Sequence, residues 1–186
     1  MITMKHTSRG FSLLELLLVV GVGAVLILAG LSAYRLVSEG NAATQGIRQL
    51  QTLKQQVQQA YQGEAGYGTA AGADMVATLS TMRMLPPDMP VTGATLRNGF
   101  GSTTTIVTGP LVGGNASTFL ITFNGVGTSA CNKMGVVFST ATSSDFTNLS
   151  ITPTGGGTAN TAITVPTVGI VSAACGNTNV MVWTFR

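Results

Sequence analysis

The residues with the most chemical meaning stand together near the start of the chain: Gly10-Phe11-Ser12-Leu13-Leu14-Glu15, then the apolar run Leu16 to Leu31. Between Phe11 and Ala33 the only ionisable side chain is Glu15. At about 1.5 Å per helical residue this segment is long enough to cross the ~30 Å hydrocarbon core of a bilayer. A carboxylate in such a span costs about 2.5–3.5 kcal/mol at its centre and less near an end, so it is read first as functional. The chemistry it fits is charge pairing. Lys5, His6 and Arg9 form a short basic head, and Gly10 is a small residue at the edge of the apolar run. An ordinary secretory signal carries its small-residue cleavage site after the apolar region; here the best junction lies before it. A cut after Gly10 would leave a new α-amine on Phe11, one helical turn from Glu15. That amine, or the one on a neighbouring chain, would neutralise the carboxylate.

Other chemistry finds little support. His6 is the only histidine and lies ahead of the apolar run, so a chain cut at Gly10 has no Ser-His or Cys-His nucleophile pair and no His-based metal site. The acidic residues are scattered, and Lys133 with Asp145 makes a poor acid-base pair. No catalytic residue, metal site or cofactor is expected. Charged residues make up 8% of the 186-residue chain, far below the typical ~25%, while Gly reaches 24 residues. The formal charge of +3 falls to +1 once Lys5 and Arg9 are removed, which gives no reason to expect nucleic-acid binding. The basic head stays cytoplasmic by the positive-inside rule, and the remainder faces an oxidising compartment. There the even pair Cys131 and Cys175 reads as a disulfide. It would close a loop of about 45 residues, worth roughly 4 kcal/mol in the chain-entropy model. Two free buried thiols are the alternative.

At its N-terminal residues the sequence resembles type IV prepilins, whose leader ends in Gly and is removed by a dedicated membrane peptidase, exposing a Phe that is then N-methylated. The resemblance implies cleavage between Gly10 and Phe11, methylation of Phe11, and a docking role for Glu15 in subunit assembly. An uncleaved signal anchor, or a signal cut after Ala33, is the competing reading; neither gives Glu15 a task. The wide cysteine spacing and the Thr- and Gly-rich second half lean toward the type IVb subclass, although the ten-residue leader falls between the two subclasses.

The elements that must position these residues follow from periodicity. Ile47, Leu50, Leu53, Val57 and Tyr61 recur at helical spacing with Arg48, Gln51, Gln55, Gln58 and Gln62 on the other side, so the apolar span continues as an amphipathic helix. Gly40-Asn41 and Gly46 predict a bend or frayed patch within it, and Gly63 predicts its end. Residues 70–81 are expected to form a short helix, ended by Pro86-Pro87. Asn98-Gly99-Phe100-Gly101 reads as a turn. Beyond it the period becomes two: Phe119 to Phe123, Met134 to Phe138 and Met181 to Phe185 are strand candidates, with Thr104 to Thr108, Leu149 to Thr152 and Val168 to Val171 weaker ones. Phe119, Phe123 and Trp183 are assigned to packing. The expected fold is α+β: a long N-terminal helix packed on a C-terminal antiparallel sheet. The expected division is a leader at 1–10, a helix at 11–63 with its membrane part at 11–33, a connection at 64–103, and a disulfide-closed sheet head at 104–186.

The resemblance implies a structural subunit that polymerises with copies of itself through the apolar helix. Implied partners are the inner membrane before assembly, a prepilin peptidase and the pilus assembly machinery, with the final location an extracellular pilus. A minor pilin, a secretion pseudopilin or a tip adhesin would share the N-terminal segment, and a secreted enzyme with an atypical signal is the outsider. From Asn98 to Phe185 only Lys133 and Asp145 are charged, which predicts that neighbouring fibres associate laterally with little electrostatic opposition.

Overall fold

The computed structural model describes residues 12–138 and 145–186, which form two compact units, one ending at Ser38 and one running from Glu39 to Arg186. Helix α1 (Leu13–Ala60) begins in the first and continues in the second. In the first unit it packs against nothing: from Ser12 to Tyr34 no residue is buried, and Leu16, Leu26 and Leu31 are 61%, 67% and 55% exposed. By length and composition it is able to cross a membrane.

In the second unit α1 becomes one layer of a two-layer head. Its residues Ala43, Leu50, Leu53 and Val57 are fully buried, with Ile47 and Tyr61 packed at their flanks. The other layer is a seven-stranded antiparallel sheet in the order β1 (Val91–Thr92), β2 (Thr95–Arg97), β3 (Thr103–Thr108), β6 (Phe119–Gly127), β9 (Thr178–Phe185), β7 (Phe146–Thr154), β8 (Asn160–Ile163). A separate hairpin, β4 (Leu111–Val112) with β5 (Asn115–Ala116), interrupts the chain between β3 and β6. Three short helices complete the head: α2 (Val76–Thr81), α3 (Thr128–Gly135) and α4 (Val168–Ala174).

Alternation on the strands, broken on β6 by the register shift between Phe123 and Val126, explains the layer. On β6 and β9 the buried set includes Phe119, Ile121, Phe123 and Val126 with Asn179, Met181, Trp183 and Phe185, all fully buried. Phe123 meets Trp183 edge-on at 5.7 Å, a favoured aromatic geometry. The opposite set points the other way and is only partly covered. Register aligns it in rows across the four central strands: Thr105, Thr122, Val182 and Ser150 in one, Val107, Leu120, Thr184 and Asn148 in the next.

Four expectations are corrected. Residues 134–138, read as a strand, are the last turn of α3 followed by a turn. Val168 to Val171 lie in α4. Both runs are short and apolar, and such runs do not reveal their period. Their buried positions have helical spacing: Ala130, Cys131, Met134 and Gly135 on α3, Val171 and Ala174 on α4. The helix expected over 70–81 covers only Val76–Thr81, because the preceding residues bond to β3 instead, with Gly72 N donating to Thr108 O and Met75 N to Ile106 O. Finally, no frayed patch interrupts α1 at Gly40 or Gly46. Gly46 serves a close approach: a Cβ there would come within 2.9 Å of the Phe100 ring and 3.0 Å of Met134 Sδ.

Candidate assembly site

The start of α1 sets the geometry around Glu15. Ser12 stands just before the helix, and Glu15 N donates to Ser12 Oγ at 3.2 Å while Leu16 N donates to Ser12 O at 3.2 Å. This is N-capping, with Glu15 at the third helical position, as in a capping box. A carboxylate there also meets the positive end of the helix dipole. The Ser-x-x-Glu signal was present in the sequence and overlooked: Ser12 fixes where the helix starts and so places Glu15 in its first turn. Glu15 is exposed. Gly10 and Phe11 lie outside the described residues, so their expected relation to Glu15 has no geometry here.

The head is built to hold its shape through one covalent and several polar ties. Cys131 in α3 is joined to Cys175, the residue that ends α4, with Cα atoms 6.0 Å apart. The two helices pack directly, Val171 lying where a side chain on Gly135 would stand. Buried Asn179 secures the turn after α4: its Nδ2 donates to Val126 O at 2.9 Å and to Gly176 O at 3.0 Å, while its Oδ1 accepts from Gly176 N at 2.7 Å. Thr128 Oγ1 adds a 2.7 Å bond to Gly176 O.

On the other side, the expected turn at Asn98 is an Asx turn. Asn98 Oδ1 accepts from Phe100 N and Ser102 N, both at 3.0 Å, and Nδ2 donates to Asn124 O at 3.0 Å. Gln49, 2% exposed on α1, receives Gly99 N on its Oε1 at 3.1 Å and donates from Nε2 to Asp88 Oδ2 at 2.9 Å. One buried amide thus ties the helix to two loops. Lys54 pairs with Asp145 at 3.3 Å and lies over the Phe138 and Phe185 rings at 5.6 and 5.4 Å. Burial lifts the Tyr67 phenol above its usual range, and the Asp145 carboxylate adds to the rise.

These charged and polar groups are spread over separate ties that hold elements together. Among the described residues no three His, Cys, Asp or Glu side chains gather as a metal site. The arrangement can do two things: present an apolar helix with one carboxylate near its start, and hold a sheet head together with a disulfide.

Comparison with known proteins agrees with this division. The family profile described as "PilS N terminal" matches residues 40–186, and the one described as "Prokaryotic N-terminal methylation motif" matches residues 5–31, which include Gly10, Phe11 and Glu15. No curated protein matches the chain. The crystal structure of a type IVb pilin from Salmonella typhi is 24% identical, with a TM-score of 0.58 over 74% of this chain and 95% of that one. That of TcpA, a type IV pilin from Vibrio cholerae El Tor biotype, is 14% identical, with a TM-score of 0.50 over 77% of this chain and 98% of that one. Such identities speak for the fold, a long helix on an antiparallel sheet, and the family profile, spanning all but the first residue of the second unit, carries the assignment. The chain belongs to the PilS family and is a type IVb-like pilin.

Proposed function

We propose that this pilin is cut between Gly10 and Phe11 by a prepilin peptidase, methylated on Phe11, held in the inner membrane by α1, and then polymerised into an extracellular type IV pilus. The observation that carries the reading is the exposure of the apolar run of α1 from Leu13 to Leu31, where no residue is buried. Burying a Leu or Val side chain is worth about 1.5–3 kcal/mol, so leaving the run in water costs on the order of tens of kcal/mol. Folding of the head recovers none of this, because these side chains stay exposed in the folded chain. Lipid solves the problem before assembly. The same segment of other copies solves it afterwards, and repetition of one heterologous contact generates an open helical filament. Glu15 sets the register, because a buried carboxylate is costly wherever the neighbouring Phe11 amine is misplaced. A structural subunit is the role the family and fold carry; adhesion, aggregation, motility or DNA transfer would be properties of the finished fibre.

The test is intact mass and N-terminal sequencing of sheared surface fibres. A chain starting at methylated Phe11 is expected, and Gly10→Val is expected to leave uncut precursor in the inner membrane. Normal, trimmed fibres from that variant would defeat the assignment.

A further inference from the structure

The seven-stranded sheet contains a single charged residue, Arg97 on β2. Arg97 pairs with Thr103 and Thr92 pairs with Thr95, so alternation along the strands puts all four on the face turned away from the core. With Ser102 they line an open cleft of about 260 Å³ between the β1–β2 hairpin and the Asn98 turn. Arg97 is exposed, and its guanidinium has no hydrogen bond or ion pair among the described residues. A lone cation without a paired acid keeps a positive potential in the cleft. We propose that this cleft binds the carboxylate of an acidic sugar, with Arg97 as the anchoring residue.

The hydroxyls decide what lies beside the carboxylate. Thr103 Oγ1 accepts from Asn124 Nδ2 at 3.0 Å, which leaves its O–H free to donate to a ligand. Thr95 Oγ1 donates to Thr92 O at 2.9 Å, which leaves its lone pairs free to accept. The cleft thus offers a fork of N–H donors and one O–H donor for an anion, next to an acceptor for a ligand hydroxyl. A phosphate or sulfate ion uses the donors and leaves the acceptor empty. A sugar ring carrying a carboxylate uses both, and the planar guanidinium matches the planar carboxylate with two parallel bonds. Size agrees. Pockets for drug-sized ligands run to about 300–1,000 Å³, so this smaller cleft takes a single ring. Its walls are tied in place: Arg97 N donates to Pro90 O at 2.9 Å, and Asn98 Nδ2 donates to Thr103 O at 3.2 Å. The site is complete within one head, so the proposal goes beyond the filament reading and does not depend on it.

The experiment follows the amide NMR shifts of full-length pilin in detergent as methyl glucuronide is added, with methyl glucoside and inorganic phosphate as comparison probes. Saturable shifts centred on residues 92–103 are expected with the glucuronide. Arg97→Gln is expected to weaken that binding by about tenfold or more, because the charge-assisted bonds are lost. Arg97→Lys keeps the charge without the fork and is expected to fall between the two. Thr95→Val removes the acceptor and is expected to weaken the glucuronide by about threefold while leaving phosphate unchanged. Arg83→Gln, which removes another exposed arginine just after α2, is expected to bind as the wild type does. Unchanged shifts in the rest of the head show that each variant is folded. No saturable shift at 92–103, wild-type affinity in Arg97→Gln, or an equal loss in Arg83→Gln would each overturn the proposal. Equal binding of the glucoside or of phosphate would overturn it as well, since neither combines a carboxylate with a ring hydroxyl.

Discussion

The two halves of α1 use the same residue types to opposite ends. Leu16 and Leu26 are more than 60% exposed; Leu50 and Leu53, further along the same helix, are fully buried. Hydrophobicity alone does not separate them. What differs is pattern: the first half is apolar all round, which leaves no polar side to turn toward water, while the second alternates an apolar stripe with Gln and Arg and so has a face to give to the chain's own sheet. An all-round apolar helix must be solvated by something other than its own chain. An amphipathic one is completed within it. On the function proposed above, assembly and folding fall to different halves of one element, and each half is open to a separate test.

The sharpest break is Glu15→Ala. It is expected to leave a processed, membrane-resident subunit with the head melting as in the wild type, yet to reduce filaments to a small fraction, because the register device is gone while the bilayer tolerates Ala. Wild-type piliation in a strain with no other pilin would remove Glu15 from assembly. Next in size is the head. Cys175→Ser should lower its stability by about 2–5 kcal/mol, the usual loss for a native bridge in a small secreted domain, read by denaturant titration of detergent-solubilised pilin. Non-reducing peptide mapping of native fibres should find Cys131 and Cys175 linked within one chain; two alkylatable thiols would refute it. Leu53→Ala should cost about 2–5 kcal/mol in the same titration, and Leu17→Ala should cost the head nothing. Equal effects from the two leucines would erase the contrast between the halves.

How much of this was legible in the sequence follows the same line. The apolar half was legible as a helix long enough to cross a membrane, since a long apolar run fixes its own length and pattern. The amphipathic half and the central strands were visible because alternation at 3.6 or 2 residues persists over several repeats: Leu50, Leu53 and Val57 on the helix, Phe119, Ile121 and Phe123 on β6. Short elements were not. Residues 134–138 are β-branched and aromatic enough to read as a strand, and α3 is helical because Cys131 and Gly135 face α4 across a contact distant in sequence. For α4 a signal did exist: Thr167 follows Pro166, and its Oγ1 caps Ile170 N at 3.4 Å. The unbroken passage through Gly46 was hidden, because the neighbour that forbids a side chain there, Phe100, comes from the Asn98 turn.

That position carries the last and smallest prediction, and it compares the halves through a single residue type. In a helix interior Gly is less favourable than Ala by about 1 kcal/mol, so Gly→Ala stabilises wherever space allows. At Gly30 nothing lies within 4 Å of the added methyl, and Gly30→Ala should leave the head's stability unchanged while strengthening the helix around it. At Gly46 the methyl meets the Phe100 ring at 2.9 Å and Met134 Sδ at 3.0 Å. Met134 is fully buried and Phe100 is held by the Asn98 turn, so neither yields freely. Overpacking of this kind costs about 1–3 kcal/mol, which exceeds the propensity gain and leaves a net loss of about 1 kcal/mol. Gly46→Ala should therefore lower the denaturation midpoint of solubilised pilin with no change in slope. A rise at Gly46 would mean that Phe100 gives way, and that the fit of α1 against the Asn98 turn is looser than the packing of its Leu50 and Leu53 face.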